Sequence, residues 1–288
     1  MKPEVGLHKA TEFSLYLAWE AVSRSDVSNF ERSSAHGRLA MTRPSAATSA
    51  MKLGTATHAA ILEPETFEAG WVAAPKVDRR TKAGRETWAK FEAANATREV
   101  LRAEEFAQVE GMRDAVHAHP IAQQLLAAPG AVELSFVWER NVEGAGTILC
   151  KGRADRFTVF DGSPVIVDVK TTEDASPTAD GFVRSCAKFG YALQAAWYLD
   201  GMAAIAPGER RFLFVAVEKK PPYAVAVHEL DQWSLNSGRI QYERLLARYA
   251  RAMTTDTWEG YPNQVHQIEL PVWARRQMEG DEFDDVIY

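Results

Sequence analysis

Two neighbouring stretches of this 288-residue chain carry acidic and basic side chains inside runs of apolar, strand-like residues. Asp155 interrupts the first run, and Asp168 and Lys170 interrupt the second. The sequence Asp-Gly-Ser-Pro at 161–164 separates the runs and is typical of a turn, so the runs are predicted to pair as a hairpin. Since residues i and i+2 of a strand share a face, Asp168 and Lys170 project side by side.

A hairpin would bring Asp155 close to Asp168, and two adjacent carboxylates repel each other unless a cation neutralises them. Oxygen ligands with room for water suit Mg²⁺ or Mn²⁺. An adjacent lysine such as Lys170 could orient or deprotonate a water on that ion. Together these groups are typical of metal-assisted phosphodiester hydrolysis. The alternative is a solvated strand edge, because Asp-x-Lys is common at strand ends.

Composition limits the classes of protein to which the chain could belong. With 46% hydrophobic and 25% charged residues it is expected to form one large globular domain or two small ones. Neither a membrane-spanning run nor a secretory leader is visible, so a cytoplasmic protein without membrane contact is expected. The two cysteines, Cys150 and Cys186, are too few for a disulfide framework or an iron–sulfur cluster. The net charge of −6 argues against indiscriminate nucleic-acid binding but permits a local basic groove.

The first part of the chain is predicted to be helical. Within 1–50, Thr11 can cap a helix that runs to Val22. The next helix, over 51–62, is apolar and contains His58 as its only polar ring. On this pattern alone, His58 is more typical of a core or capping residue than of a ligand.

The middle of the chain is predicted to form an antiparallel meander followed by helices and further strands. Apolar side chains occupy every second position of 132–138, as in a half-buried strand. A single helix is predicted over 182–202, in which Gln194 and Tyr198 share a face. Their amide and phenol could contact phosphate oxygens, or they could form a buried polar pair.

The strongest basic cluster lies at 75–90, a segment that contains six basic residues and only two acidic ones. This segment is either a solvated loop with a helix start or a segment that binds the phosphate backbone of nucleic acid. Candidate phosphate contacts are Arg79, Arg80, Lys82 and Arg85, with Lys151, Arg153 and Lys188 as weaker candidates.

Four short motifs in a fixed order resemble the PD-(D/E)XK nuclease superfamily. They are Gly54…His58, Asp155, Asp168…Lys170 and Gln194…Tyr198. Within the superfamily they are similar to the RecB/RecE-like exonucleases of the exodeoxyribonuclease VIII type found in phages and prophages. In that group the pattern is Gly-x-x-x-His, a lone Asp, Asp/Glu-x-Lys and Gln-x-x-x-Tyr. A Leu-Pro-x-Trp sequence at 270–273 adds to the resemblance, which covers about residues 10–275.

The resemblance implies an α/β (α+β) fold with a PD-(D/E)XK restriction-endonuclease-like core, a central mixed β-sheet flanked by helices. It also implies a single nuclease domain. We expect an N-terminal helical segment at 1–50, a core at 51–260 with a helical insertion at 75–128, and a C-terminal tail at 261–288.

The resemblance also implies roles for individual residues. One or two Mg²⁺ (or Mn²⁺) ions would be held by His58, Asp155, Asp168 and the carbonyl of Val169. Lys170 would position the attacking water and stabilise charge on the scissile phosphate. Gln194 and Tyr198 would hold the DNA backbone or brace the site, and Glu133 would be an acid behind the ligands. The catalytic set is then Asp155, Asp168, Lys170, Gln194 and Tyr198.

Relatives of this type degrade linear double-stranded DNA from 5′ to 3′ and leave a 3′ strand for an annealing recombinase, often as homo-oligomeric rings. Two departures are visible, since Ala154 stands in place of the name-giving Pro and the second acid is Asp168 rather than Glu. Two other functions stay open. One is a structure-specific endonuclease or single-strand nuclease, and the other is a non-catalytic DNA-binding protein.

Overall fold

The computed structural model describes residues 1–43, 48–272 and 274. Nine strands lie in this part of the chain: β1 (Gly6–His8), β2 (Val22–Ser23), β3 (Trp71–Ala73), β4 (Glu99–Leu101), β5 (Gly130–Val142), β6 (Gly146–Phe160), β7 (Ser163–Thr172), β8 (Arg211–Glu218) and β9 (Val225–Glu229). Seven form a central sheet in the order β1-β5-β6-β7-β8-β9, with β2 added beside β6. The sheet is mixed, because β7 runs parallel to β8 and β2 runs parallel to β6 while the other neighbours are antiparallel.

Helices cover both faces of the central sheet. The same described residues contain α1 (Phe13–Ala18), α2 (Arg24–Ser28), α3 (Ser34–Thr42), α4 (Ser49–Leu62), α5 (Pro64–Gly70), α6 (Lys82–Ala94), α7 (Ala103–Ala118), α8 (Pro120–Ala127), α9 (Phe182–Phe189), α10 (Tyr191–Ile205) and α11 (Gln232–Thr255). One apolar core joins the sheet to α4, α7 and α8, and the other joins it to α2, α9, α10 and α11. This is the predicted fold class. None of the helices described is long and apolar enough to cross a bilayer.

Strand β7 shows how the sequence sorts side chains between the two cores. Val165, Val167 and Val169 are fully buried against the α4 and α7 side, and Ile166 is buried on the α10 side. Each buried valine contributes about 1.5–3 kcal/mol of hydrophobic free energy. Because side chains alternate along a strand, the valines fix Asp168 on the α10 side, two positions beyond Ile166.

The turn between β6 and β7 forms as predicted. Asp161 and Gly162 have φ angles of 48° and 75°, and Phe160 pairs with Ser163 across them. Two residues with positive φ are typical of the tight hairpin turn that matches the twist of the flanking strands. This turn fixes the register of β6 against β7.

The predicted alternation over 132–138 holds only from Leu134 onward. Leu134 and Phe136 pack into the α10 core, whereas Val132 packs against the opposite one. Glu133 lies between them with φ 50°, in the left-handed region that non-glycine residues rarely adopt. The conformation of Glu133 therefore reverses the face of the sheet to which the alternate side chains of β5 point.

The single helix predicted over 182–202 is wrong, because Gly190 ends α9 with φ 64° and a new helix starts at Tyr191. The helix predicted from Thr11 to Val22 is also too long. It begins at Phe13 and ends at Ala18, and the Thr11 hydroxyl donates to the carbonyl of His8 instead of capping it. Trp273 of the Leu-Pro-x-Trp sequence and residues 275–288 of the predicted tail lie outside the described residues.

Candidate active site

The site forms where β6 and β7 separate. The last paired residues of the hairpin are Arg156 and Val167. Immediately beyond them, the Asp155 carboxylate accepts a hydrogen bond of 2.7 Å from the backbone N–H of Val169. The side chain thus replaces the strand–strand hydrogen bond at this point. On the same edge, the earlier part of β6 pairs with β2, starting from Cys150 opposite Val22.

Helix α4 brings an imidazole to this point. The Nδ1 atom of His58 lies 3.4 Å from Oδ2 of Asp155. The small side chains of Ala56, Ala59 and Ala60 are buried, which lets the helix approach the sheet closely. Burial and the nearby Lys170 ammonium lower the pKa of His58 below its usual range. A neutral imidazole is the form that binds metal ions.

The glycine of the Gly-x-x-x-His motif has no packing role on this helix. A Cβ atom built on Gly54 would meet nothing within 4 Å. In the structure, therefore, steric contact does not require a glycine at this position.

Glu133 stands closer to the metal-ligand candidates than the sequence suggested. It lies opposite Asp155, between the paired residues Val132–Arg156 and Leu134–Ala154 of β5 and β6. Ligand atoms of His58, Glu133 and Asp155 all lie within 4.8 Å of one another. The left-handed backbone at position 133 and the register of the meander create this contact. The register was visible in the sequence, but the change of backbone conformation was not.

Asp168 and Lys170 form a buried ion pair next to this cluster. Asp168 is only 2% exposed, and its Oδ2 atom lies 2.5 Å from the Lys170 ammonium. The other oxygen accepts a hydrogen bond of 2.5 Å from the side-chain amide of Gln194. Tyr191, which sequence reasoning missed, has its ring 4.9 Å from the ammonium. Its position three residues before Gln194, on the same helix face, was the available signal.

Gln194 and Tyr198 both support other parts of the site. Gln194 holds the Asp168 carboxylate, and the Tyr198 ring lies between Phe136 and Phe212 at centroid distances of 5.4 and 6.0 Å. The Tyr198 hydroxyl accepts a hydrogen bond from the backbone of Arg153, and burial raises its pKa well above the usual value. The structure thus gives the contacts of the pair, and the choice between the two roles left open by the sequence stays a prediction.

The donor atoms fit a hard divalent cation. Burial, followed by the nearby Asp168 carboxylate, raises the pKa of Asp155. Burial and the facing Asp155 likewise raise the pKa of Glu133, although its ion pair with Arg153 opposes this shift. The buried Oδ2 of Asp168 accepts no hydrogen bond and has only its ion pair with Lys170. Carboxylates that repel one another, together with a neutral imidazole, are donors that suit Mg²⁺ or Mn²⁺.

Comparison with known proteins identifies the family of the chain. Residues 23–271 match the family model described as a PDDEXK-like domain of unknown function, DUF3799. The chain belongs to this PDDEXK-like family. A crystal structure described as a "putative exonuclease" from Eubacterium rectale superimposes with a TM-score of 0.60 and 14% identity, over 93% of this chain and 98% of that one. At this identity the likeness shows the fold.

A second solved structure, SSO0001, gives a TM-score of 0.30 with 17% identity, over 62% of this chain and 73% of its own, and carries no argument. No curated protein matches the sequence.

Two basic candidates of this PDDEXK-like domain are not phosphate contacts. Lys151 is 5% exposed, and its ammonium donates to the carbonyls of Tyr16 and Trp19 at 2.9 and 3.0 Å. The Arg153 side chain is 14% exposed, pairs with Glu133 at 2.5 Å and donates to the carbonyl of Thr11. Both predictions were wrong because these side chains connect the N-terminal segment to β6 instead of facing solvent.

The remaining basic candidates are exposed. Arg79 lies 4.2 Å above the ring of Trp88, Arg85 donates to the carbonyl of Arg80, and Lys82 lies 4.0 Å from Glu86. Lys188 lies near the ring of the following residue, at 5.2 Å. These side chains face solvent, and their contact with nucleic acid stays a prediction.

Proposed function

We propose that this chain is a metal-dependent nuclease, and more narrowly an exonuclease that hydrolyses linear double-stranded DNA from 5′ to 3′ during recombination. Membership of the PDDEXK-like family supports the nuclease. The observation that carries the proposal is the approach of His58 to Asp155, at 3.4 Å, beside the buried Asp168–Lys170 ion pair. An imidazole, separate carboxylates and a lysine in one buried place have few structural uses.

The residues that would hold the ion are His58, Asp155, Asp168 and the carbonyl of Val169, and Glu133 lies within reach. When bound, a divalent ion supplies positive charge to the scissile phosphate and acidifies the attacking water.

The protein's own groups would then position the reacting atoms. Lys170, held in place by Asp168, would direct its ammonium at the attacking water and at the charge that develops on the phosphate. Gln194 would keep the Asp168 carboxylate oriented, and Tyr198 would hold the backbone of β6 through Arg153. We assign both residues to positioning, because the Gln194 amide already donates to Asp168 and the Tyr198 ring packs between Phe136 and Phe212.

The choice of DNA rests on the resemblance to exodeoxyribonucleases, and the choice of residues that bind it rests on charge. A site lined by acids repels a polyanion, so basic side chains elsewhere must bind the backbone. The exposed cations Arg79, Arg80, Lys82 and Arg85 around the start of α6 are suited to this, with Lys188 as a further candidate. The description of the Eubacterium rectale structure as an exonuclease favours action at ends. Assembly into a homo-oligomeric ring and cooperation with an annealing recombinase belong to the same proposal.

One assay separates the open functions. Linear duplex labelled at one end or the other, closed circular duplex and single strands are incubated with the protein and Mg²⁺ or Mn²⁺. The proposal expects early release of label from 5′ ends and no attack on circles. Cleavage of circles would indicate an endonuclease, and digestion of single strands alone would indicate a single-strand nuclease. Binding without any cleavage would indicate a non-catalytic DNA-binding protein.

A further inference from the structure

A concave surface that contains none of the candidate active-site residues lies beside the segment that follows α2. It is a groove of about 690 Å³ between the segment after α2, the C-terminal half of α11 and residues 257–262. We call it the arginine groove, because its lining includes Arg32, Arg244, Arg248 and Arg251. Glu259 is the one acid among the residues that line it.

The arginines of α11 are arranged on a single face. Arg244, Arg248 and Arg251 follow one another at intervals of four and three residues, so their side chains lie in one row along the helix. Like charges so placed repel each other, at a cost of a few tenths of a kcal/mol per pair. An anion lying opposite such a row would offset this repulsion.

Only some of the arginines of the groove donate hydrogen bonds to acceptors within the described residues. Arg248 donates to the carbonyls of Phe30 and Glu31 at 2.6 and 3.0 Å, and Arg32 donates to the Tyr261 hydroxyl at 3.1 Å. These acceptors are uncharged. The guanidinium groups of Arg244 and Arg251 are exposed and have no acidic partner in the described part of the chain. In a chain of net charge −6, this leaves an uncompensated positive surface.

The groove is connected to the candidate active site by α2. At the start of this helix, Arg24 donates to the carbonyls of Phe189 and Gly190, which join α9 to α10 and hence to Gln194. Arg32 follows the other end of the same helix. The five residues of α2 span about 8 Å. Since phosphates of one strand advance about 3.4 Å per nucleotide, a strand spans the length of α2 in about two to three nucleotides, in addition to those that lie between the scissile bond and Arg24.

We propose that the arginine groove binds the phosphate backbone of the nucleic-acid strand whose scissile bond lies at the His58–Asp155–Asp168 site. Guanidinium groups suit this ligand, because their planar forks pair with phosphate oxygens in two parallel hydrogen bonds. The inference rests on the proposed nuclease function and deepens it, because it assigns a path to the substrate away from the reacting phosphate.

The test compares strand binding in the double variant Arg244→Gln/Arg251→Gln with binding in wild type. Both side chains are exposed, and glutamine is a good helix former, so the fold should be retained. Arg248 is left intact because it holds the backbone after α2. The matched control is Lys2→Gln/Lys9→Gln, which removes the same charge from exposed side chains of the N-terminal segment.

The binding of two fluorescent oligonucleotides is measured by anisotropy in EDTA over a salt series. One has about 4 nucleotides and is too short to reach from the active site to the groove, and the other has about 20 and exceeds that length. The groove variant should bind the longer strand roughly ten-fold more weakly at low salt. Its plot of log affinity against log salt should be shallower by about 1.4, the value for two lost phosphate contacts. The loss should be smaller for the shorter strand, which cannot contact the groove and the active site together, and all values for the control should stay as in wild type.

Three results would overturn the inference. The first is an unchanged affinity and salt slope for the longer strand. The second is an equal loss in the control variant. The third is that a deoxynucleoside monophosphate binds wild type as tightly as the longer strand does and that the groove variant loses the affinity for both. The groove would then be a mononucleotide site. Binding is measured in EDTA, which prevents cleavage, so its result does not depend on nuclease activity. If wild type fails to digest DNA in the presence of a divalent ion, the proposed nuclease function is rejected, and the binding result can still be interpreted on its own.

Discussion

Asp168 is held at both carboxylate oxygens, because the Lys170 ammonium lies 2.5 Å from one and the Gln194 amide donates to the other. Two fixed partners orient the carboxylate before any ion or substrate arrives. Preorganised charge of this kind is the largest single source of catalysis in many enzymes, because no reorganisation is needed during the reaction.

The first prediction concerns the charge of this residue. Asp168→Asn keeps the shape of the side chain and an oxygen for the Gln194 amide, but it loses the negative charge. We expect nuclease activity on linear duplex to fall by about 10²–10³-fold or more while circular dichroism shows a native fold. The exposed Asp180→Asn provides the same chemical change away from the site. Wild-type digestion by Asp168→Asn would remove this carboxylate from the mechanism.

The second prediction concerns pH. Burial and Asp168 raise the pKa of Asp155 from 3.8 to about 8, so without metal the folded protein holds a proton that the unfolded chain releases. The contribution of Asp155 to the free energy of unfolding should therefore fall as pH rises from about 4 to about 8, by at most about 1.4 kcal/mol per pH unit. Asp155→Asn lacks this proton. Urea unfolding in EDTA should show that the stability of Asp155→Asn relative to wild type increases between the two pH values. If the free energies of unfolding of the two proteins change with pH in parallel, Asp155 does not carry the proton.

At the level of secondary structure elements, the N-terminal segment is attached to β6 by two buried cations. Lys151 binds the carbonyls at the end of α1, and Arg153 binds Glu133 and the carbonyl of Thr11. The long stem of lysine packs among apolar side chains while its ammonium reaches these acceptors. Residues that resembled DNA contacts in the sequence thus stabilise the framework around the site.

The third prediction tests this attachment. Lys151→Met keeps the apolar stem and leaves the backbone carbonyls of α1 without their donor, so we expect a loss of about 1–3 kcal/mol in the free energy of unfolding. Lys188→Met makes the same change at an exposed lysine and should change stability little. Urea unfolding measures both variants. If the two variants unfold at the same midpoint, the buried ammonium does not hold the segment.

The fourth prediction concerns the exposed cations before α6. Arg79→Gln/Arg80→Gln should weaken DNA binding in EDTA, more steeply at low salt than at high salt, because each lost phosphate contact reduces counterion release. The Lys2→Gln/Lys9→Gln variant removes the same charge and should bind as wild type does. Unchanged affinity of the arginine variant across a salt titration would leave the segment as a solvated loop.

The sequence predicted those elements whose local pattern matches their final environment. The hairpin with its Asp161-Gly162 turn and the valines of β7 followed from turn chemistry and alternation. Gly190 did not stand out, because an isolated glycine is tolerated in a helical pattern, and its left-handed conformation depends on how α9 and α10 pack. The prediction that Lys151 contacts phosphate was wrong, because the sequence pattern around a strand lysine is the same whether its ammonium faces water or a buried carbonyl.

At the scale of the whole molecule, two apolar cores enclose one sheet, and the acidic cluster lies on its inner strands β5, β6 and β7, at the point where β6 and β7 separate. Glu133, Asp155 and Asp168 place several carboxylates in a poorly solvated region, which costs stability unless a cation binds there. The overall stability should therefore depend on divalent metal ions as well as on apolar packing.

The fifth prediction follows from this dependence. An ion that binds only the folded state at 100 times its dissociation constant adds about 2.7 kcal/mol, which raises the melting temperature of a chain of this size by about 5 °C. We expect Mg²⁺ or Mn²⁺ to produce such a rise in wild type and a much smaller one in Asp155→Asn. Differential scanning fluorimetry against EDTA measures it, and an equal rise in both proteins would place the ion elsewhere.

The left-handed residue in β5 has a consequence for the evolution of this chain. At position 133 a glycine would relieve a backbone conformation that costs a glutamate about 1–3 kcal/mol, but it would also leave the Arg153 guanidinium without the carboxylate that lies 2.5 Å away. A laboratory selection for heat resistance should therefore enrich glycine there together with a neutral residue at position 153, and a selection for catalysis should restore the acid. Glu133 marks a site where robustness and chemistry favour different amino acids.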